Sequence, residues 1–386
     1  MRKVLVVVPD MKLGGVTTSV INFCNELNKR GDIVHFLNMG KENLEAERKI
    51  HKNIKKLHLV GKASNWQLGV GDLKEASVFN KIKLIPIAIV KKMTNHSEAW
   101  LNIVFYDYYI DDEYDVAVAF RQCAPCYYFV LNCTNARKKI AFVHGAIDAM
   151  GDISSFACYF SKYDNIACVS QACCEGFKIK YQNIKNKFIC IYNMFPVDDI
   201  KNKAKEKCLV RMSKDIFNII TISRIENATK GIDRIPMICK TLKDANLKFH
   251  WYIVGDGPDL KYDEDMSAHF GTMDVLSFCG AMDNPYPMVQ CADLSVLPTF
   301  GEAYSMTVIE SLIVGTPIIV PYYEGVEEAV EDGITGLIAK QSVEDITQKI
   351  QWLILDKTRL DSIRLNLEKL NFDNNREYQQ FLESIC

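Results

Sequence analysis

The chain has 386 residues, 48% of them hydrophobic, which is more than one core organises and enough to fill two domains of about 200 residues each. Its 46 lysines and arginines against 48 aspartates and glutamates leave a formal charge of -2, excluding a global field that would gather nucleic acid or anionic membrane. The 14 cysteines are scattered through apolar runs, among them Cys24, Cys158, Cys168, Cys239 and Cys291, and read as reduced thiols of a cytosolic protein.

Residues 4–9 form an apolar strand that is too short for a secretory leader and is closed by Asp10. After Gly14-Gly15, the residues Val20, Ile21, Cys24 and Leu27 recur at helical spacing, Gly31 stops the helix, and 33–37 is the next strand, completing a β-α-β unit. No stretch reaches the roughly 18 consecutive apolar residues of a membrane span, so any membrane contact is peripheral. The basic-apolar stretch 81–92, followed by Trp100, Phe105, Tyr106, Tyr108 and Tyr109, is either a helix packed on the first sheet with its lysines outward or a surface for a lipid-linked acceptor. Further buried strands are predicted at 114–120, 139–143, 165–169 and 189–192, with Ser170 as a helix cap. Cys123-Ala-Pro-Cys126 follows a strand and has the spacing of a redox pair, although no other feature points to a thioredoxin-like protein.

The charged stretch 201–214 reads as a connection between domains. A second strand series follows at 217–222, 249–254, 275–278, 294–297, 317–320 and 336–339, alternating with helices, so the fold class is α/β with two doubly wound, Rossmann-like domains. The expected division is 1–197, 198–364, and a terminal segment 365–386 that crosses back to the first domain. In that segment Tyr378, Phe381, Leu382 and Ile385 define an amphipathic helix. Two such sheets imply a cleft lined by the carboxyl ends of their strands.

The densest chemistry lies at those ends in the second half. Glu302 precedes, and Glu310 lies within, a helix expected to start near Ser305, whose open amides suit a diphosphate. Glu310 is about five residues on, roughly 7 to 8 Å along the axis, the offset from a diphosphate to a ribose. Arg224 and Lys230, after strand 217–222, place two cations where a departing nucleoside diphosphate gathers negative charge. Gly255, in Gly255-Asp-Gly257-Pro258, belongs to a tight turn that lets a ligand approach the backbone. Singly, each residue also has a plain structural reading as a helix-dipole partner or surface charge; it is their company that argues for a site. Asp263-Glu264-Asp265 has the D-x-D look of a metal site but lies in a charged, solvated stretch, and no His/Cys cluster has zinc spacing.

The pair Glu302 and Glu310, with seven residues between, together with Ser223-Arg224, Lys230-Gly231, 254–258, Cys291-Ala-Asp-Leu294, Gly325 with Glu328, and 332–336, resembles family 4 of the glycosyltransferases, retaining enzymes of GT-B fold. The resemblance covers nearly the whole second half and is looser in the first. It implies that Arg224 and Lys230 bind the donor phosphates, that amides near Ser305 and Met306 hold the diphosphate, that Glu310 holds the ribose, and that Glu302 holds the transferred sugar. Gly14-Gly15 resembles the family's glycine loop, placing Gly15 at the donor, and His144, at the end of strand 139–143, resembles the family histidine. Glu302 and His144 are then expected to position groups and stabilise charge. The implied partners are a nucleotide-sugar donor, UDP-sugar favoured and consumed as a substrate, and a glycan or lipid-linked acceptor. No cofactor, metal or nucleic acid is expected. The setting implied is bacterial surface-polysaccharide synthesis in the cytoplasm, at the inner face of the membrane. A non-catalytic nucleotide-sugar-binding partner and a sugar-nucleotide epimerase remain alternatives. A nicotinamide-dependent oxidoreductase is disfavoured, because 4–15 lacks G-x-G-x-x-G.

Overall fold

The computed structural model describes residues 1–12, 14–59, 98–106, 108–147 and 150–385; the basic stretch 81–92 lies outside them. The chain divides into two compact units, Met1–Met194 with Asn374–Cys386, and Phe195–Asp373.

The first unit is built on a seven-stranded sheet in the order β3-β2-β1-β4-β5-β6-β7. Its strands are β1 (Lys3–Val8), β2 (Ile33–Asn38), β3 (Lys55–His58), β4 (Ile110–Ala119), β5 (Thr134–Val143), β6 (Asn165–Cys168) and β7 (Phe188–Cys190). Every pairing is parallel, with Val4 opposite Val34 on one side and Val116 on the other. Burial on both faces explains why β1 reads as a continuous apolar run. The strand β3, Lys-Lys-Leu-His, was not predicted: it lies at the sheet edge with its two lysines exposed, and charge on an edge strand hides the apolar signal. The strand β4 begins earlier than expected because its first turn of sequence carries Asp111, Asp112 and Glu113 across a register shift. Ser170 does cap the helix Gln171–Lys180, its hydroxyl accepting from the Cys173 amide at 3.2 Å.

The terminal helix, Asn375–Glu383, belongs to this unit. Phe381 is fully buried and meets Phe23 edge-on at 5.2 Å, a burial that contributes about 2 kcal/mol. Tyr378 accepts from the Arg2 guanidinium at 2.6 Å and donates to Asp32 at 3.1 Å. Of the aromatic residues left open between packing and surface, Trp100 and Phe105 are core residues, whereas Tyr106 and Tyr109 are exposed.

The second unit has a six-stranded parallel sheet in the order β10-β9-β8-β11-β12-β13: β8 (Phe217–Ile222), β9 (Phe249–Val254), β10 (Leu276–Phe278), β11 (Leu294–Val296), β12 (Ile318–Pro321) and β13 (Gly336–Ala339). The charged stretch from 201 begins inside a helix, Val197–Ala204, whose Ile200 and Ala204 are buried in this unit's core. Its acidic first turn and basic last turn complement the helix dipole, so the charges at 201–204 belong to a helix, and the remainder of the stretch leads from it to β8 within the same unit. At the other end the helix Lys357–Lys369 runs through the expected break at 364/365 because Leu360, Ile363 and Leu367 anchor it in the same core; the return segment starts at Asn374.

Candidate functional site

In the second unit the strand order reverses between β8 and β11, the position in a doubly wound sheet at which ligands bind outside the carboxyl ends of the strands. Two contacts knit those loops together. The Phe300 amide donates to Thr229 O at 3.0 Å, and the buried Thr299 hydroxyl lies 2.9 Å from the same carbonyl. Gly231 packs so closely on Pro298 that a Cβ would lie 2.3 Å from its carbonyl oxygen. The result is that Lys230, from one loop, meets Glu302, from the other, Nζ to Oε1, at 2.5 Å. Both side chains are partly buried, and the Thr299 hydroxyl also approaches Glu302 Oε1 at 3.3 Å. Behind them Gln341 donates to the carbonyls of Thr299, Phe300 and Tyr322 and accepts from Arg234 at 2.9 Å.

Arg224, just past β8, is exposed, with Glu226 no closer than 3.8 Å. Ser305 is the N-cap residue of the helix Met306–Val314, and its side chain makes no capping bond, which leaves the first-turn amides to other acceptors. Glu310 is on the second turn of that helix. Tyr286 bonds to its carboxyl, which burial pushes up to about 7 while the tyrosine bond pulls it back. Sequence reasoning did not find Tyr286, Thr299, Gln341 or Arg234, since their contributions arise from contacts between distant loops.

Gly255 also has a packing role. Its φ is +151 and a Cβ would fall 1.8 Å from Ser223 O, while Gly257 would meet Ile225 O at 2.1 Å. The turn is made of glycine so that the loop carrying Arg224 can lie against it, and the Gly255 amide donates to Gly280 O at 2.9 Å. Gly255→Ala is therefore expected to destabilise the protein by about 3 kcal/mol and to displace Arg224, read as a lowered melting temperature together with weakened nucleotide binding. Asp263, read above as solvated, is fully buried on the helix Leu260–His269. It accepts from the Asn227 side-chain amide at 2.9 Å, and burial pushes its carboxyl up to about 6. It braces the loop that ends in Lys230.

In the first unit the order reverses between β1 and β4. Asp10, after β1, pairs with Arg121, after β4, at 2.7 Å, and Gly15 opens the helix Gly15–Lys29. His144 lies just past β5 and stacks on Phe142. Its Nε2 is 2.7 Å from Phe120 O, so that nitrogen carries the proton. Burial lowers the imidazole to about 4, so His144 is neutral near pH 7 and cannot stabilise an anion by charge; Nδ1 remains an acceptor for a hydroxyl. Among the described residues one trio, Glu42, Glu47 and His58, brings metal-ligand atoms within 4.8 Å of one another. It is built around the buried Glu47, which the Asn38 amide bonds at 2.8 Å. No helix among the described residues is long and apolar enough to cross a membrane. Of the cysteines named above, Cys24, Cys168 and Cys239 are buried, and Cys158 and Cys291 are exposed.

Comparison with known proteins agrees with this geometry. Residues 206–369 match the family model "Glycosyl transferases group 1". The chain is 28% identical over 207 residues to the N,N'-diacetylbacillosaminyl-diphospho-undecaprenol alpha-1,3-N-acetylgalactosaminyltransferase of Campylobacter jejuni, covering 52% of each chain. It spans about half the length of the curated relatives it matches. Among solved structures it superposes on Anabaena HepE in complex with UDP, with a TM-score of 0.70 at 15% identity over 99% of both chains. It also superposes on a Staphylococcus aureus TarM mutant complex containing UDP, with a TM-score of 0.71 at 14% identity over 100% of both. At such identities these likenesses report the fold. Residues 206–369 thus resemble the glycosyl transferases group 1 family, and the chain as a whole has the fold of the GT-B glycosyltransferases.

Proposed function

We propose that the chain transfers a hexosyl group from a nucleoside diphosphate sugar, UDP-linked, to a hydroxyl of a glycan or lipid-linked acceptor, with retention of anomeric configuration. The observation that carries this reading is the Lys230–Glu302 pair, set beside the exposed Arg224 and a helix start without a side-chain cap. That arrangement offers two cations and oriented amides to a diphosphate and a carboxylate to the sugar attached to it. Arg224 and Lys230 neutralise the leaving diphosphate, so no metal ion is required. Glu310 holds the ribose hydroxyls, and His144 accepts a sugar hydroxyl at Nδ1. The Campylobacter relative is named for transfer to a diphospho-undecaprenol acceptor, which supports a surface-polysaccharide role at the cytoplasmic face of a membrane, with peripheral contact. The test is a thermal-shift screen against nucleoside diphosphates and their sugars without added metal. Stabilisation by a uridine diphosphate supports the reading, and no response to any nucleotide overturns it.

A further inference from the structure

The sulfurs of Cys123 and Cys126 occupy the first turn of the helix Ala124–Asn132, directly after β4. Cys123 is its N-cap residue and is partly exposed, while Cys126, one turn on, is fully buried. The Cys126 thiol donates to Val7 O at 3.4 Å, and the two thiols are near enough to shift one another's titration. Residues three apart on one helix face stand near the spacing a disulfide spans. We infer that Cys123 and Cys126 form a reversible dithiol–disulfide site, with Cys123 the attacking thiol and Cys126 the resolving one.

The asymmetry assigns the roles. The neighbouring Cys126 thiol lowers the Cys123 thiol, helped by the Arg121 guanidinium and opposed by burial and by Asp10. Burial raises the Cys126 thiol well above its ordinary value. A thiolate at a helix N-terminus beside a cation is the reactive form. A low-molecular-weight disulfide, RSSR, is the oxidant. The Cys123 thiolate attacks one of its sulfurs, the S–S bond breaks and RS⁻ leaves. The Cys126 thiolate then attacks the Cys123 sulfur of the mixed disulfide and expels the second RS⁻. Both cysteine protons end on the two RSH products, and the oxidant has taken up two electrons.

The site is tied to the proposed catalytic scaffold. Between β4 and Cys123 lie Phe120, whose carbonyl holds His144 Nε2, Arg121, paired with Asp10, and Gln122, whose side chain accepts from the His144 amide at 3.2 Å. A disulfide closing this turn acts on the segment that orients His144. The proposal goes beyond the transferase reading and does not depend on it, because the assay follows sulfur chemistry.

The full-length protein, reduced and then exposed to glutathione disulfide, is mapped by peptide mass spectrometry. The expected first product is a Cys123–Cys126 bond, a loss of about two mass units from that peptide, reversed by dithiothreitol. In Cys126→Ser the reaction is expected to stop at a glutathione adduct on Cys123, and in Cys123→Ser the peptide is expected to remain unmodified. Reaction at the exposed Cys158 and Cys291 while Cys123 and Cys126 stay reduced overturns the inference, as does an adduct on Cys126 in Cys123→Ser.

Discussion

Replacing Lys230 by alanine is expected to lower sugar transfer by about 100- to 1,000-fold while shifting the melting temperature by only a few degrees. The large effect follows from the side chain's two tasks. Its ammonium holds Glu302 at 2.5 Å, and in the proposed reaction it supplies positive charge where the leaving diphosphate collects negative charge. The small stability effect follows from solvent access, because both partners keep part of their surface open and such pairs contribute little to folding. Glu302→Ala is expected to cost a comparable factor. The double variant should be little worse than either single one, since residues that act as a unit are not additive. Lys240→Ala, which breaks an exposed ion pair with Asp244 on the helix Arg234–Asp244, is the control and should transfer normally. Transfer by Lys230→Ala at the wild-type rate would remove Lys230 from the reaction, and additive losses would show that Lys230 and Glu302 act separately.

What the sequence conveyed and what it hid have physical causes. The strands β8, β9 and β13 agree with the apolar runs residue for residue, because a strand buried on both faces is apolar at most positions. The helix after Ser305 was legible for the same reason, its core-facing residues Ile309, Leu312 and Ile313 being buried. The pairing of Lys230 with Glu302 was not legible. It depends on the loops after β8 and β11 being neighbours, and that adjacency is a property of strand order, as is the bracing by Gln341. Asp263 was misread in the same way. An acidic triplet does not announce that its first carboxylate faces inward. His144 was found by position, but its neutral state is set by Phe120, Phe142 and burial, which no local pattern encodes.

Glu310 is expected to make donor binding pH-dependent. With its carboxyl near 7, it is largely protonated at about pH 6 and largely ionised at about pH 8. Only the ionised form presents two acceptor oxygens to a pair of ribose hydroxyls, so stabilisation by uridine diphosphate should increase across that range. The unliganded protein should move in the opposite direction. Because the folded value is raised above that of the unfolded chain, the protonated carboxyl contributes stability in full below the unfolded pKa, and that contribution is lost as pH rises through about 7. Thermal melts with and without nucleotide, on wild type and Glu310→Gln, separate the two effects. The glutamine variant should melt with a flatter pH profile and show a nucleotide shift that is smaller at pH 8 than that of the wild type. Asp263, near 6, also titrates in the unliganded protein, and the nucleotide's own phosphate titrates near 6, but both are common to the two proteins and cancel in the comparison. His144 stays neutral throughout. An unchanged pH slope in Glu310→Gln would assign the dependence to another group and take the ribose contact away from Glu310, while leaving Arg224 and Lys230 as the phosphate ligands.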